Sequence, residues 1–202
     1  SVVNDRGTRT VGVSDHPHIF RFYGTYDLPF GRDRALGKNW SRALDAALGG
    51  WTVSWVTKYT SGNPLEIIDS SGARPIVVRD PNLQGPVGER LGTTTDATGN
   101  VLNPFFDVAA FQRLTDEFAI SPAPRRYGWL RGPSALQHDM VLFKTFKLAR
   151  GTALELKVEA TNVFNSTIFD DPGLDISNPA QFGVISDASG KRAFRFGGKL
   201  RF

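Results

Sequence analysis

The chain has 202 residues, of which 40% are hydrophobic and 22% are charged, and it contains 21 Gly and 12 Pro. This composition favours a folded, β-rich protein over a disordered or helical one. The sequence contains no Cys, which excludes disulfide frameworks, thiolate nucleophiles and Cys-ligated zinc.

The net charge of +4 comes from Lys and Arg residues that are scattered, apart from a loose cluster at Arg32, Arg34, Lys38 and Arg42 that we interpret as a solvated turn. A nucleic-acid-binding face concentrates such residues and interleaves them with aromatic side chains, so we expect no nucleic-acid partner. No apolar run approaches the ~18 residues that a membrane-spanning helix needs. If the chain crosses a membrane, it must therefore do so with strands.

The first strand is predicted at 18–28. Residues 1–17 show no clear period and are interpreted as the end of a loop. Because the sequence starts at Ser1 without a secretory signal, we expect that an N-terminal part is missing. From His18 the chain alternates, and one face carries Phe20, Phe22, Gly24, Tyr26 and Leu28. Pro29 cannot donate to a sheet and ends the strand.

A short helix and then a second strand are predicted next. Residues 41–48 have apolar residues at helical spacing, and Gly49 and Gly50 follow as a common helix end. The strand is predicted at 51–68. One of its faces carries Trp51, Trp55 and Tyr59. The first and last of these aromatic residues are separated by about 20 Å of height in a tilted strand, the spacing of the two aromatic girdles of an outer-membrane barrel.

Residues 69–135 are rich in Gly, Pro, Asp and Asn and are predicted to form one long loop without regular structure. Within it, NPFFDVAAF (103–111) is compatible with a short helix. A loop of this length is unusual in a compact soluble domain but common outside an outer-membrane barrel. We expect this loop to contribute to ligand capture.

Two further strands are predicted at 136–147 and 153–163, joined by the short turn LARGT (148–152). Their apolar face carries Met140, Leu142, Phe146, Leu154, Leu156, Val158 and Ala160. The opposite face of the second strand carries Glu155, Lys157 and Glu159. Three charges in a row on one face require water or charged partners.

The last strand is predicted at 192–202 and alternates without a break. One face carries Phe194, Phe196, Gly198, Leu200 and Phe202, and the other carries Arg195, Lys199 and Arg201. An aromatic face, a cationic face and a length of about ten residues are typical of a transmembrane strand with lipid on one side and a wet lumen on the other. An edge strand of a soluble β-sandwich is the alternative.

The charges of the last two strands predict how they pair. If Glu155 faces Lys199, then Glu159 faces Arg195, and these become charge pairs in the lumen. Sliding the strands by two residues sets Lys157 against Lys199, which is a repulsive pair. We therefore predict the first register.

Together these elements predict an all-β fold: an antiparallel transmembrane β-barrel, of which this chain is a C-terminal fragment of about five strands with long extracellular loops. The turns after Leu28 and Lys147 fall at one end, predicted to be periplasmic, and the loops at 62–135 and 164–191 fall at the other. Five strands cannot close a barrel around a transporter lumen. We expect the isolated chain to expose two strand edges, to aggregate, and to need the rest of its own barrel.

Two groups of residues offer metal-ligand chemistry, but neither has a recognised spacing. His16 and His18 lie two apart, and no third ligand is evident. Asp170, Asp171 and Asp175 lie in a loop without the spacing of an EF-hand. We interpret both groups as loop residues and expect no metal or other cofactor.

The residue types of a hydrolytic triad occur at Ser134, His138 and Asp139. The surrounding GPSAL segment lacks the glycine pattern of a nucleophile elbow, and His138 and Asp139 face opposite sides of a strand. We predict that the protein is not an enzyme.

Several motifs occur in a fixed order: YDLPFG (26–31), ALGGW (47–51), SGNP (61–64), FFDVAAF (105–111), LRGP (130–133), DMVLFKTF (139–146), LELKVEATNVFN (154–165) and FGVI (182–185). In this order and spacing they resemble the C-terminal end of Oar-like TonB-dependent outer-membrane receptors. This group often carries a carboxypeptidase-regulatory-like domain at the N-terminus. The resemblance covers nearly the whole chain.

The resemblance implies a twenty-two-stranded barrel that is plugged by an N-terminal domain and energised by an inner-membrane complex through a TonB box. The plug domain and the TonB box are absent from this sequence and are expected upstream. The resemblance also implies that the outer-membrane assembly machinery recognises Phe202 together with Phe194, Phe196 and Leu200. Deleting Phe202 is then expected to lower the amount of heat-modifiable barrel in the outer membrane.

The first function hypothesis is therefore a receptor of the outer membrane that imports a scarce solute or binds a secreted protein. Its expected partners are outer-membrane lipid, its own plug, the TonB complex and the assembly machinery. A passive or structural outer-membrane barrel and a soluble β-sandwich binding module are the alternatives.

Overall fold

The structure, a computed structural model, describes residues 10–72, 74–90, 94–95, 101–102, 104–115, 121, 123–148 and 151–202. The strands are β1 (Ile19–Asp27), β2 (Thr52–Thr60), β3 (Ile76–Val77), β4 (Thr94–Thr95), β5 (Val101–Leu102), β6 (Phe111–Gln112), β7 (Ala135–Lys147), β8 (Ala153–Thr161), β9 (Ile168–Phe169), β10 (Ala188–Ser189) and β11 (Ala193–Arg201). The helices are α1 (Arg42–Leu48) and α2 (Val87–Arg90), and a 3-10 turn covers Val108–Ala110. Among the described residues, no helix combines the length and the apolar character that crossing a membrane demands.

The five longest strands form one sheet in the order β1-β2-β7-β8-β11. β8 pairs antiparallel with both β7 and β11. In the β1–β2 pair, Leu28 N donates to Trp51 O (2.9 Å) and the hydroxyls of Thr25 and Ser54 lie 2.8 Å apart, so these strands also run in opposite directions. The predicted antiparallel all-β fold is confirmed, and four of the five predicted strands end within two residues of the observed bounds.

The predicted register of the last two strands is also confirmed. Glu155 lies opposite Lys199, and Glu159 lies opposite Arg195. Lys157 lies opposite Gly197, so the repulsive alternative does not occur.

The predicted second strand at 51–68 is too long, because β2 ends at Thr60. At Gly62 the chain passes so close to a neighbouring backbone that an added Cβ would lie 1.8 Å from Gly132 O. Leu65 N then donates to Leu130 O (2.9 Å), so this segment pairs with another part of the chain instead of prolonging the sheet.

The chain folds as two compact units. The sheet unit comprises Phe20–Tyr59, Leu136–Thr167 and Gly190–Phe202, and the loop unit comprises Thr60–Ala135, Ile168–Ser189 and the described part of Ser1–Ile19. The loop unit has its own core, formed by Leu65, Ile67, Phe106, Ala110, Phe111, Tyr127, Leu130 and Phe182. The Phe106 ring lies edge-on to Phe111 and Phe182, with ring centroids 5.3 and 5.2 Å apart.

The prediction that 69–135 lacks regular structure is wrong for the described residues, since β3 pairs antiparallel with β6 and β4 with β5. In place of the helix suggested at 103–111, the structure has only the 3-10 turn at Val108–Ala110. The Asp107 side chain caps the start of this turn by accepting a hydrogen bond from Ala109 N (3.0 Å). Four predictions lie partly outside the described residues: the loop at 1–17 (residues 1–9), the helix at 103–111 (residue 103), the turn at 148–152 (residues 149–150) and the loop at 69–135 (residues 73, 91–93, 96–100, 103, 116–120 and 122).

Helix α1 forms where its pattern predicts. Ser41 precedes it as the N-cap, and the hydroxyl of Ser41 accepts from Leu44 N (3.2 Å). Gly49 ends the helix, with its N–H donating to Asp45 O (2.9 Å). The helix lies in the connection between β1 and β2.

Candidate functional site

One face of the sheet is apolar across all five strands. The register aligns Phe196 with Val158 and Val158 with Leu142, which places the predicted apolar residues of three strands on the same side. The rings of Phe22 and Trp55 are in contact at a tilt, with centroids 6.0 Å apart, so β1 and β2 share a face in the same way. This face is open, because Phe196 is 79% exposed and Phe22 51% exposed. A soluble sandwich would bury these side chains under a second layer.

The opposite face carries the charged and most of the hydroxyl side chains, with Val141 and Phe143 as apolar exceptions, and it is internally bonded. Thr52 donates its hydroxyl to Asp27 Oδ1 (2.7 Å). Glu155 forms an ion pair with Arg201 (3.0 Å), two residues beyond Lys199, and Lys157 forms one with Glu159 on its own strand. The predicted pairs Glu155–Lys199 and Glu159–Arg195 lie opposite each other in the register but are not ion pairs among the described residues. Such a face needs water or further charges opposite it, as a lumen supplies. The lumen role of these residues stays a prediction.

The apolar face carries a cation, Lys144, that our sequence analysis did not single out. Its side chain is 7% exposed, and Nζ donates to the carbonyls of Asp45 (2.9 Å) and Ala46 (2.6 Å) in α1. Nζ also lies 4.7 Å from the centroid of the Phe146 ring and 5.9 Å from that of Trp51. The helix and two aromatic rings therefore surround this ammonium group.

Ser134, His138 and Asp139, which the sequence analysis rejected as a hydrolytic triad, do not assemble into one in the structure. The His138 ring is bonded to the hydroxyl of Thr57 (2.9 Å), whereas Asp139 accepts from Asn162 N (2.8 Å). Ser134 precedes the strand that carries both residues. Neighbouring side chains in a strand point to opposite faces, so His138 and Asp139 cannot act on one substrate atom.

Asn162 joins three chain segments of the sheet unit. It has a left-handed backbone (φ 49°) and is 1% exposed. Its amide Nδ2 donates to the carbonyls of Ser166 (2.8 Å) and Gly190, and Oδ1 accepts from Ser166 N (3.0 Å). The end of β8, the chain that leaves it and the chain that enters β11 are thus held by one buried amide.

In the loop unit, one residue of the histidine pair and two of the three loop acids line one cavity of about 480 Å³. Its lining includes His16, Ser61, Asn63, Asp170 and Asp171. His16 Nδ1 lies 2.7 Å from Ser61 O. Burial raises the pKa of the Asp171 carboxyl, and a hydrogen bond from the Asn63 side chain opposes that rise. The cavity therefore presents a ring nitrogen, an amide and two carboxyl groups.

These residues do not form a metal centre. Among the described residues, no group of three or more His, Asp and Glu side chains is placed to hold a metal ion. The backbone N of His18 donates to Ser61 Oγ (3.2 Å). The third acid, Asp175, bonds within its own turn to Ser177, which holds the pKa of the Asp175 carboxyl below its usual value.

An ion pair between a buried carboxylate and a half-exposed guanidinium group joins two distant segments of the loop unit. The Asp69 side chain is 1% exposed and accepts from Arg113 Nε (2.5 Å) and Nη2 (3.0 Å). The hydrogen bond from Arg113 lowers the pKa of Asp69 to about 2. The two residues are 44 positions apart in the predicted loop, so no local pattern indicates the pair.

The comparisons with known proteins give one finding. A family model described as outer membrane beta barrel domain matches residues 2–196. No curated protein and no solved structure matches the chain.

Proposed function

Since the chain belongs to the family of outer membrane beta barrel domains and is an outer-membrane protein, we propose that it supplies strands to the barrel of a TonB-dependent receptor. In this proposal the apolar face contacts acyl chains and the polar face lines the lumen. The two edge strands, β1 and β11, pair with further strands of the same barrel. The motif order from YDLPFG (26–31) to FGVI (182–185) supports the receptor assignment.

The observation that carries the proposal is the folded loop unit. A passive pore needs its strand connections only to reach the next strand. Here the connections share a core of eight buried side chains and the Asp69–Arg113 pair. A surface that is already ordered loses less entropy when it binds a ligand, which suits capture of a scarce solute.

The cavity at His16 and Asp171 is the proposed place of capture. Its volume of about 480 Å³ suits a small solute or one side chain of a larger partner. Its carboxyl groups and the Asn63 amide favour a ligand that donates hydrogen bonds, such as a polyol or an amine.

The test uses the full-length protein, extracted from its outer membrane in mild detergent. An immobilised periplasmic domain of TonB is expected to capture it, because energised uptake requires direct contact with the transducer. In a planar bilayer the same preparation is expected to show no steady ionic current, because a plug fills the lumen.

A general porin from the same membranes serves as the control, since it conducts and is not captured. If the protein behaves like the porin in both assays, it is a passive barrel and the receptor proposal is wrong.

A further inference from the structure

A second cavity, of about 620 Å³, lies at the turn end of the sheet unit. It is bounded by residues 31–34, by helix α1 with the glycines that follow it, and by residues 144–148. Its charged lining consists of Arg32, Arg34, Arg42, Lys144 and Lys147 with Asp33 and Asp45. Five cations against two carboxylates leave a net positive charge, so an anion is the complementary ligand.

Part of this positive charge is not neutralised by the protein. Arg34 is paired with Asp27 (3.1 Å). The Asp45 carboxylate accepts a hydrogen bond from the backbone N–H of Arg32 (2.7 Å). This bond fixes the backbone at Arg32 and leaves its guanidinium group unpaired. Within the described residues, the side chains of Arg32, Arg42 and Lys147 have no ion pair or hydrogen bond.

The surroundings of the cavity are apolar. Leu48 and Leu148 are 54% and 49% exposed, and Leu148 lies in the cavity wall. Phe146, also in the wall, stands on the apolar face of the sheet together with Trp51. The cations thus lie where the apolar face ends, which is the arrangement that an amphiphile with an anionic head requires.

We propose that this cavity binds the phosphate group of an anionic membrane phospholipid. The guanidinium groups of Arg32 and Arg42 donate to the non-bridging oxygens, since their planar forks match phosphate geometry. The acyl chains lie along the apolar face beside Phe146 and Trp51. The proposal rests on the outer-membrane family and does not depend on TonB-dependent transport.

The experiment measures lipid binding to the delipidated full-length protein in detergent by native mass spectrometry. Phosphatidylglycerol and phosphatidylcholine are titrated separately. The double variant Arg32→Gln/Arg42→Gln is expected to bind phosphatidylglycerol about 30-fold more weakly, and Lys147→Gln about 5-fold more weakly. Lys38→Gln is the matched control, because Lys38 lies in the same connection but outside the cavity lining. The affinity of this variant for phosphatidylglycerol is expected to stay within about 2-fold of wild type.

The proposal is overturned by equal affinity of the wild type for the two lipids, by wild-type affinity in the double variant, or by an equal loss in Lys38→Gln. Displacement of the lipid by millimolar inorganic phosphate assigns the cavity to free phosphate and overturns the lipid assignment. Unchanged heat-modifiability on a gel shows that each variant still forms its barrel, and the single Lys147→Gln change repeats the test from the other wall.

Discussion

Asp69 is a buried carboxylate that the loop unit keeps charged with a half-exposed partner. Arg113 supplies two hydrogen bonds to it, and the backbone N of Ser71 supplies another (2.9 Å). Each of these bonds favours the ionised form, and together they outweigh the burial that disfavours it. The loop composition predicted neither residue, because an ion pair between distant loop positions leaves no periodic signal.

We expect the Asp69 ion pair to make the loop unit sensitive to acid. The pKa in the folded state is about 2, below the ordinary value of 3.8, so the carboxylate stabilises the fold above about pH 4 and this contribution is lost as the pH falls toward 2. The contribution is about 1–2 kcal/mol, since Arg113 is partly solvated. Asp69→Asn should lower the thermal midpoint of the detergent-solubilised protein at pH 6. Between pH 6 and pH 3 the thermal midpoint of the variant should then fall by less than that of the wild type. An identical fall in both proteins contradicts the assignment.

Gly24 lies in β1 at a position that has no room for a side chain. An added Cβ would lie 2.5 Å from Cζ2 of Trp55. We expect Gly24→Ala to displace the indole ring and to destabilise the barrel by about 1–3 kcal/mol. The measurement is the temperature at which the heat-modifiable band disappears from a gel.

Gly198→Ala is the matched control for this change. Gly198 also lies in a strand on the apolar face, but its added Cβ would meet Leu156 Cδ2 at 3.9 Å, an ordinary contact. A similar drop in both variants would mean that strand glycines matter for a reason other than the Trp55 contact.

Lys144 shows what alternation does and does not predict. Its position places it on the same face as Met140 and Phe146, and this parity is present in the sequence. The carbonyls of Asp45 and Ala46 that accept its protons come from a helix about a hundred positions earlier. Alternation therefore predicts that Lys144 lies on the apolar face, but it does not predict that the carbonyls of α1 accept its hydrogen bonds.

At the level of elements, the strands were predictable because period two is a strong signal where one face is apolar. The same signal explains the error in β2. Leu65 and Ile67 continue the alternation after Thr60, but they are 1% and 3% exposed because they enter the core of the loop unit. A pattern of two cannot distinguish a residue that faces lipid from one that faces a separate core.

The register of β8 and β11 allows a crosslinking test, because the chain has no Cys of its own. Val158→Cys with Phe196→Cys places the thiols directly opposite each other. Antiparallel partners have Cα atoms about 4.5–5.5 Å apart, within the range of a disulfide. We expect rapid oxidation of this pair and a shifted band on a non-reducing gel.

The control pair is Val158→Cys with Phe194→Cys, which lies on the same face but one pair away. Faster oxidation of the control pair would show a register that is slipped by two residues. Equal rates would mean that the strands are not held in one register.

At the scale of the whole molecule, the order of segments was predictable and the division into two units was not. The core of the loop unit draws Leu65, Phe106, Tyr127 and Phe182 from positions spread over more than half the chain. FFDVAAF (105–111) supplies three of the eight core residues, but the others lie tens of positions away, so no single window of sequence contains most of the core. Composition therefore predicted an unstructured loop where a core exists.

The membrane assignment of the apolar face can be tested with tryptophan fluorescence. Two variants each keep a single Trp, either Trp55 on the apolar face or Trp129 in the loop unit, with Phe at the other Trp positions. In vesicles of lipids brominated in mid-chain, Trp55 is expected to lose most of its emission because it contacts acyl chains. Trp129, although 51% exposed, is expected to keep its emission.

Vesicles of unbrominated lipid give the reference emission for both variants. Quenching of Trp129 alone, or of neither residue, contradicts the proposed lipid contact.

The amide of Asn162 has one more consequence, for protein engineering. Because this amide binds the carbonyls of Ser166 and Gly190, the two ends of the chain segment between these positions are held at a fixed distance from each other. The strands on either side do not depend on the length of that insert for their spacing. A foreign recognition sequence grafted into this segment for display on a cell surface must therefore keep Phe182, which packs in the core of the loop unit.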